Sequence, residues 1–453
     1  MIKKNEVNLL VVTLALSLVI IIVVSVGMFK LSNSTIIDTN DLVDPDIDTI
    51  NNSTDIIDPD NDTKNTFIFN SSFSVHIVGN QILDSRNNSI HLVGSVLSTS
   101  YNALDVFTFT SINEQMFELM ADAGANYVVL AVNSELWGND PRQNDYQDRV
   151  NEIIGWCRKY GLYYQLKLQQ VGSGSLQNTY PNGQYCRAGN NWQLTDPNYV
   201  KTGSDGKQYP STPFRQRSFD MWVDLATLYG DDPNLVGYHL LNEPYSGDDW
   251  SKWENVVSYY EDCIDLITPI DPDAIFVVMP ARRWGTYLID WVSNSNPYRG
   301  YIDNPNVVYE YHNYYKNQAS WAGGWGYNYA QGNIAQGDIN IQSWHETNVM
   351  PIYNAGHPVF CGEFGISGVD SLASAEPNNR IVNNYEAGNS GQMQDMNELG
   401  IHWTMFYMRA TRNGNAWGMA NSNGVGLSER GEIWANNIPE NLIKPKQTGI
   451  QDE

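Results

Sequence analysis

The sequence predicts an α/β fold in which eight parallel β-strands close into a TIM barrel. Short apolar runs alternate with longer amphipathic stretches from Phe67 onward, which is the pattern of β/α units on a parallel sheet. Eight such runs are present, and 453 residues are enough for one barrel with attachments. An open doubly wound sheet is the alternative, but no G-x-G-x-x-G or Walker motif follows the first run.

The first element is an apolar segment over residues 9–29, which has the length of about 20 residues needed to span a bilayer. Lys3 and Lys4 precede it, Lys30 closes it, and no A-x-A cleavage site follows. The pattern favours an uncleaved signal anchor, residues 1–30, over a removed signal peptide or a buried core helix. Because positive charge marks the cytoplasmic side, the remaining chain is expected outside the cell.

Residues 31–66 are predicted to form a flexible acidic stalk. They hold nine Asp, one Lys and no aromatic residue, so they cannot bury enough apolar surface to fold. The folded body is predicted over residues 67–439, and residues 440–453 are expected to be a polar tail.

The folded body is predicted to start with a β-hairpin, since residues 73–77 alternate in polarity and a Gly79-Asn80 turn separates them from Ile82 and Leu83. The eight barrel strands are predicted at residues 91–96, 126–132, 163–168, 236–241, 275–279, 307–311, 359–361 and 402–406. Helices are predicted between them at residues 113–123, 149–160, 214–229, 250–267 and 393–399.

The net charge of the chain and the spacing of its Cys and His residues exclude some classes of partner. A net charge of −25 argues against a nucleic-acid partner, because binding a phosphate backbone needs a basic face. The four Cys and seven His show no spacing typical of a metal site. The sequence therefore predicts no cofactor and no required metal.

Two carboxylates stand at the ends of predicted strands. Glu243 follows the fourth strand in Asn242-Glu243-Pro244, and Glu363 follows the seventh in Gly362-Glu363-Phe364-Gly365. Reactive groups of a β/α barrel lie at the carboxyl ends of its strands, so these side chains should face one cavity. Glycosidic bond cleavage needs one protonated and one ionised carboxyl, about 5 to 5.5 Å apart in the retaining mechanism.

The N-E-P segment, His312-x-Tyr314 and the G-E-F-G segment, in this order at strand ends, resemble glycoside hydrolase family 5, the cellulase and mannanase family of clan A. The likeness runs from about Phe73 to about Trp434. It implies that Glu243 is the acid/base and Glu363 the nucleophile. By the same resemblance Asn242 would hold the sugar's 2-hydroxyl, while His312 and Tyr314 would line the site and Tyr314 would orient the nucleophile.

Four positions, in three strands, depart from the family pattern. Val129 replaces an Arg that usually bonds the nucleophile, Gln169 and Gln170 replace a His pair, and Phe406 stands at a Trp position. A carboxylate that loses a neighbouring cation has a raised pKa and is a weaker nucleophile. The residues that could supply the cation from another strand are Arg282, Arg283 and Arg409.

The loop after the sixth strand is rich in aromatic residues among Gly and Asn. Sugar rings present apolar faces that pack on aromatic planes, so Trp321 and Trp325 are predicted to bind substrate. Gln169 and Phe406 are the remaining candidates for substrate binding.

The sequence thus predicts a membrane-anchored, extracellular, retaining β-glycoside hydrolase, endo-glucanase or mannanase-like by resemblance. Its substrate would be a β-linked polysaccharide or oligosaccharide, with β-1,4-glucan or mannan favoured. The alternatives are a non-catalytic or weakly active glycan-binding or adhesion protein on the same fold, and an intracellular α/β enzyme. A cation or hydroxyl within hydrogen-bond reach of Glu363 would favour the enzyme, and an apolar wall would favour the binding protein.

Overall fold

The computed structural model describes residues 75–97, 112–137, 143–169, 194–199, 201–202, 208–209, 214–244, 250–282, 285–314, 334–365, 391–406, 408, 419–420 and 426–445. The predicted anchor and stalk, residues 1–66, lie outside these ranges, as do Trp321 and Trp325. Within the described ranges, no helix combines the length and the apolar character needed to cross a bilayer.

The β-strands include all eight that the sequence predicts for the barrel. In chain order they are β1 (His76–Val78), β2 (Gln81–Leu83), β3 (Val93–Leu97), β4 (Tyr127–Val132), β5 (Tyr163–Leu168), β6 (Lys201–Thr202), β7 (Gln208–Tyr209), β8 (Leu235–His239), β9 (Phe276–Val278), β10 (Val307–Tyr314), β11 (Val359–Gly365) and β12 (His402–Met405).

Eight of these strands form a closed parallel barrel in the order β3-β4-β5-β8-β9-β10-β11-β12, and Trp403 pairs with Val93 where the last strand meets the first. The predicted hairpin is present as the antiparallel pair β1–β2, and β6–β7 is a second antiparallel pair. Strands β10 and β11 run past their predicted ends because they stay paired up to Tyr314 opposite Gly365. The barrel prediction is confirmed.

The helices follow the strands as the β/α pattern requires. They are α1 (Glu114–Asp122), α2 (Ser134–Trp137), α3 (Gln143–Lys159), α4 (Phe214–Tyr229), α5 (Trp253–Ile267), α6 (Ile334–Asn348), α7 (Met350–Asn354), α8 (391–399) and α9 (Glu429–Ala435). Helix α3 begins six residues before its predicted start at 149. The first turn of α3 is polar apart from Tyr146, which is buried, and a single apolar residue does not produce a helical pattern in the sequence.

The apolar core has two parts. The larger part lies between the strands and the surrounding helices, and the smaller fills the barrel with side chains such as Val96, Val129 and Val277. Val75 and Ile82 of the hairpin belong to the smaller cluster. The hairpin therefore contributes to the barrel interior, and burying each such side chain contributes about 1.5 to 3 kcal/mol.

Candidate active site

Glu243 is placed just beyond the end of β8. The Asn242 N–H donates to the Leu168 carbonyl oxygen at 2.9 Å, which holds this segment beside β5. Glu243 itself has a φ of +44°, in the left-handed region that residues with a Cβ avoid. Its N–H contacts the Met279 sulfur at 3.3 Å. Such backbone strain costs about 1 to 3 kcal/mol and is concentrated at functional sites.

Glu363 is placed inside the barrel by an irregularity in β11. The pairing between β10 and β11 shifts after Tyr311, so that Cys361 and Glu363 face successive residues and Gly362 is the extra residue. A bulge reverses the alternation of the strand, and it turns the side chain of Glu363 toward the interior. The Thr404 hydroxyl donates to the Gly362 carbonyl at 2.5 Å and holds the bulge in place.

Both oxygens of Glu363 accept hydrogen bonds. The Tyr314 hydroxyl donates to Oε2 at 2.6 Å, and the Lys167 ammonium donates to Oε1. Lys167 comes from β5, and its side chain is wholly buried. Burial alone would raise the pKa of Glu363, but His312, Lys167 and Tyr314 together hold it below its ordinary value. Glu363 is therefore ionised at neutral pH.

Glu243 and Glu363 both lie close to Nδ1 of His312. One oxygen of each carboxyl group and one ring nitrogen of His312 all lie within 4.8 Å of one another. His312 Nδ1 is 2.6 Å from Glu243 Oε1 and 3.7 Å from Glu363 Oε2. The two predicted carboxylates thus meet at one place, as the strand-end argument required.

A third carboxylate, Glu310, lies beneath this pair. Its Oε1 is 3.1 Å from His312 Nε2, and its Oε2 is 3.1 Å from His239 Nδ1. Burial would raise the pKa of Glu310, but His239 and His312 more than offset it and lower the pKa to about 2. Burial would lower the pKa of His312, but the carboxylates around it, Glu363 first, raise it to about 9. His312 is therefore an imidazolium at neutral pH.

The other predicted site residues lie near the same end of the barrel or outside the described ranges. Gln169 follows β5 directly, and its N–H donates to the Val132 carbonyl at 3.0 Å. Phe406 is 4% exposed and packs edge-on against Tyr314, with ring centroids 6.1 Å apart. Trp321 and Trp325 were predicted on the loop after β10, which the structure does not describe.

Lys167 and Glu310 are the two site residues that the sequence did not single out. Of the arginines considered as replacements, Arg282 instead stacks on Trp250 at 3.8 Å and lies 3.6 Å from Asp290. The cation beside Glu363 comes from Lys167, while Val129 packs among apolar side chains in the barrel. The available signal was a charged residue inside a predicted barrel strand, since such residues are rarely buried without a partner.

The donor atoms of Glu243, His312 and Glu363 are close enough to hold a metal ion, and no other group in the described part of the chain meets that criterion. A metal would need the lone pair at His312 Nδ1, yet His312 is protonated at neutral pH because its pKa is raised to about 9. It would also compete with Lys167 and Tyr314 for the oxygens of Glu363. The donor set fits proton transfer better than metal binding.

Comparison with known proteins adds a family match. The model of the cellulase family, glycosyl hydrolase family 5, matches residues 83–411. Cellodextrinase A of Ruminococcus flavefaciens is 21% identical over 303 residues, which is 65% of this chain and 80% of that protein. Endoglucanase C of Acetivibrio thermocellus is 23% identical over 166 residues, which is 36% of this chain and 40% of that protein.

Solved structures share the fold. A β-glucanase from Saccharophagus degradans superposes with a TM-score of 0.56 at 17% identity, covering 83% of this chain and 97% of that one. The same β-glucanase in complex with cellotetraose gives a TM-score of 0.57 at 16% identity, over 83% of this chain and 97% of that one. At these identities the likeness establishes the barrel fold.

Proposed function

This chain belongs to glycosyl hydrolase family 5 and hydrolyses O-glycosyl bonds, and we propose that it does so on β-linked glucan by a retaining double displacement. The observation that carries the proposal is the surroundings of Glu363. A buried ammonium, Lys167, and a hydroxyl, Tyr314, both donate to its carboxylate. Donors of this kind are what an ionised nucleophile needs, so they favour an enzyme over the alternative of a non-catalytic glycan-binding protein.

In the first proposed step, Glu363 attacks the anomeric carbon of the sugar. A bond forms between that carbon and a carboxylate oxygen while the bond to the leaving oxygen breaks. Glu243 gives its proton to the leaving oxygen as general acid. His312 faces Oε1 of Glu243, so Oε2 is the oxygen open to the leaving group. Asn242, which is buried beside Glu243, would hold the 2-hydroxyl by the family pattern.

In the second proposed step, water attacks the anomeric carbon and Glu243 takes its proton. The bond to Glu363 breaks, and the sugar leaves with its original configuration. One oxygen of Glu243 lies within 4.8 Å of one oxygen of Glu363. This supports the retaining route, because the two carboxyl groups of an inverting enzyme must stand about 6.5 to 9.5 Å apart to admit water between them.

The proposed substrate is a β-1,4-glucan, with β-mannan as the second candidate. The matched relatives are named a cellodextrinase and an endoglucanase, and one similar structure holds cellotetraose. Gln169, Trp321, Trp325 and Phe406 remain the proposed contributors to substrate binding. We also place the catalytic body outside the cell, anchored through residues 9–29, or secreted if that segment is cleaved.

The test compares the full-length protein with Glu363→Gln and Glu243→Gln on β-1,4-glucan, β-1,3-glucan, mixed-linkage glucan, mannan and xylan. We expect the parent to release reducing ends from β-1,4-glucan with retained anomeric configuration, as seen by NMR of the first product. Glu363→Gln should release none, because an amide cannot form the intermediate. Glu243→Gln should lose about a hundredfold to ten-thousandfold, the usual contribution of a general acid.

The matched control is Glu398→Gln, which changes an exposed carboxyl on α8 and should leave the rate unchanged. An inverted product would contradict double displacement. Full activity of Glu363→Gln would show that the nucleophile is misassigned. Retained polymer binding by all variants without release would instead favour the glycan-binding alternative.

A further inference from the structure

One buried ionised group in contact with the proposed catalytic residues, Glu310, has no role in the mechanism above. Glu310 is 0% exposed and carries a negative charge in the barrel interior, where an unpaired charge would be very unfavourable. Glu310 precedes His312 by two residues on β10, so His312 is the nearer of the two to the carboxyl ends of the strands, where the catalytic groups lie.

A glycine, Gly362, leaves the space that this carboxylate occupies. A Cβ added to Gly362 would lie 1.8 Å from Glu310 Oε1 and 2.1 Å from its carboxyl carbon. Any other residue at the bulge of β11 would therefore displace Glu310. Gly362, which precedes Glu363, and Glu310, which contacts His312, therefore pack directly against each other.

Glu310 fixes the protonation of His312. Both ring nitrogens of His312 face carboxylate oxygens, Nε2 toward Glu310 at 3.1 Å and Nδ1 toward Glu243 at 2.6 Å. Glu310 is ionised and accepts from Nε2. Glu243 keeps its acid proton on Oε2, which faces the leaving group, so its Oε1 accepts from Nδ1. Both nitrogens then carry hydrogen, and the ring is an imidazolium. A neutral His312 would leave one of the two contacts without a proton.

The imidazolium stands where charge moves during the proposed reaction. Before the first step Glu363 is negative and Glu243 is protonated. After it, Glu363 is a neutral ester and Glu243 is negative. His312 Nδ1 lies 2.6 Å from one carboxyl oxygen and 3.7 Å from the other, so its charge faces the negative group in both states.

We propose that Glu310 is a positioning residue that acts through His312, keeping it charged so that it balances the negative charge as this passes from Glu363 to Glu243. The inference rests on the proposed function of the two glutamates. The charges of Glu310 and His312 cancel, and the charge of Lys167 cancels that of whichever catalytic glutamate is ionised, both before and after the first step. The net charge of the site does not change.

The test is Glu310→Gln in the full-length protein, which keeps the shape of the side chain and removes its charge. The ionisable groups that surround Glu310 are Tyr127 on β4, Lys167 on β5, His239 on β8, Tyr260 on α5, His312 on β10, and Cys361 and Glu363 on β11. Removing the charge acts on both histidines, but burial already holds the pKa of His239 below its ordinary value, so His239 should stay neutral and His312 should show the change in titration. Its pKa of about 9 should fall by about one unit or more when an opposite charge is removed.

Two readouts follow this change. Histidine NMR, assigned with His312→Gln, should show the lower pKa directly. The second readout is the alkaline limb of kcat/KM, which loss of the Glu243 proton and loss of the His312 charge both set. The His312 contribution should move to lower pH, because the charged form is active and is lost as pH rises through the pKa. A fall of that pKa from about 9 to about 8 gives about a twofold loss near pH 8 and about a tenfold loss near pH 9, relative to pH 6. A merely structural role would reduce the rate at every pH without moving the limb.

Glu310→Asp keeps the negative charge but moves it away from His312, because the side chain is shorter. This variant replaces Glu310→Gln in the test if Glu310→Gln does not fold. We expect an intermediate fall of the His312 pKa. An unchanged His312 titration in both variants would overturn the inference. The titration needs no substrate, so it still decides the inference if the parent proves inactive, and that inactivity would count against the proposed function alone.

Discussion

At the scale of single residues, the site depends on a lysine whose position in the sequence gives little sign of its role. Lys167 occupies an inward position of β5, two residues beyond Gln165, and its register partner on β4 is Ala131. The expected arginine position, Val129, is one inward step lower on β4. The positive charge beside Glu363 thus comes from a neighbouring strand, and the departure at Val129 does not leave the nucleophile without a cation.

Replacing Lys167 with Met should weaken Glu363 as a nucleophile. The lowered pKa of Glu363 keeps it ionised as pH falls, and activity is lost when pH drops through that pKa. Without the ammonium the pKa of Glu363 should rise, which moves the acid limb of kcat/KM to higher pH. The measurement is kcat/KM against pH for the parent and Lys167→Met.

Two further variants control for that result. Lys167→Arg keeps the positive charge, so its acid limb should lie close to that of the parent. Adding Val129→Arg to Lys167→Met returns a cation from β4 and should move the limb back toward the parent. An acid limb that stays fixed in Lys167→Met would show that the ammonium does not set the ionisation of Glu363.

At the scale of elements, the bulge in β11 decides which way the nucleophile points. Phe360 faces the barrel interior and Cys361 faces the outer core, so strict alternation would turn Glu363 outward. The extra residue, Gly362, restores the inward direction, and Glu310 fills the space that a side chain there would take. The bulge and the glycine are therefore parts of one structural device.

Gly362→Ala should destabilise the protein and reduce its activity, because the new methyl group would overlap Glu310. Overpacking of this kind costs about 1 to 3 kcal/mol. Gly155→Ala is the matched control, since Gly155 lies inside α3 with nothing within 4 Å of an added Cβ, and Ala is favoured over Gly in a helix by about 1 kcal/mol. In urea unfolding, the free energy of unfolding should fall in Gly362→Ala and rise in Gly155→Ala. Equal changes in the two variants would mean that Glu310 can move aside without a large cost.

At the scale of the whole molecule, the chain joins an acidic folded body to an N-terminal segment of very different composition. Of the net charge of −25 on the whole chain, −19 lies on residues 67–453 and keeps the body solvated, while residues 9–29 are apolar and follow two lysines. A polymeric glycan cannot cross a membrane, so an outward-facing enzyme would meet its substrate directly. The proposed location and the proposed substrate are therefore consistent with each other.

The proposed location predicts how the full-length chain fractionates in its own cells. It should sediment with membranes, stay there through an alkaline carbonate wash, and dissolve in detergent, because about 20 apolar residues span the hydrocarbon core. Protease added to intact cells should degrade the body. Recovery from the soluble cytosol with residues 9–29 intact would contradict the proposal, and recovery from the medium without them would replace the anchor with a cleaved signal.

The sequence by itself determined the barrel, its N-terminal hairpin and the family, and it indicated Glu243 and Glu363 as the two carboxylates. Each of these follows from a local pattern, such as alternation within a strand or a motif at a strand end, that a few neighbouring residues carry. Only the tertiary structure decided that Lys167 supplies the cation and that Glu310 lies beneath His312. A charge within an apolar strand acquires its meaning from partners on other strands, and Lys167 and Glu363 are brought together across the barrel only when the sheet closes.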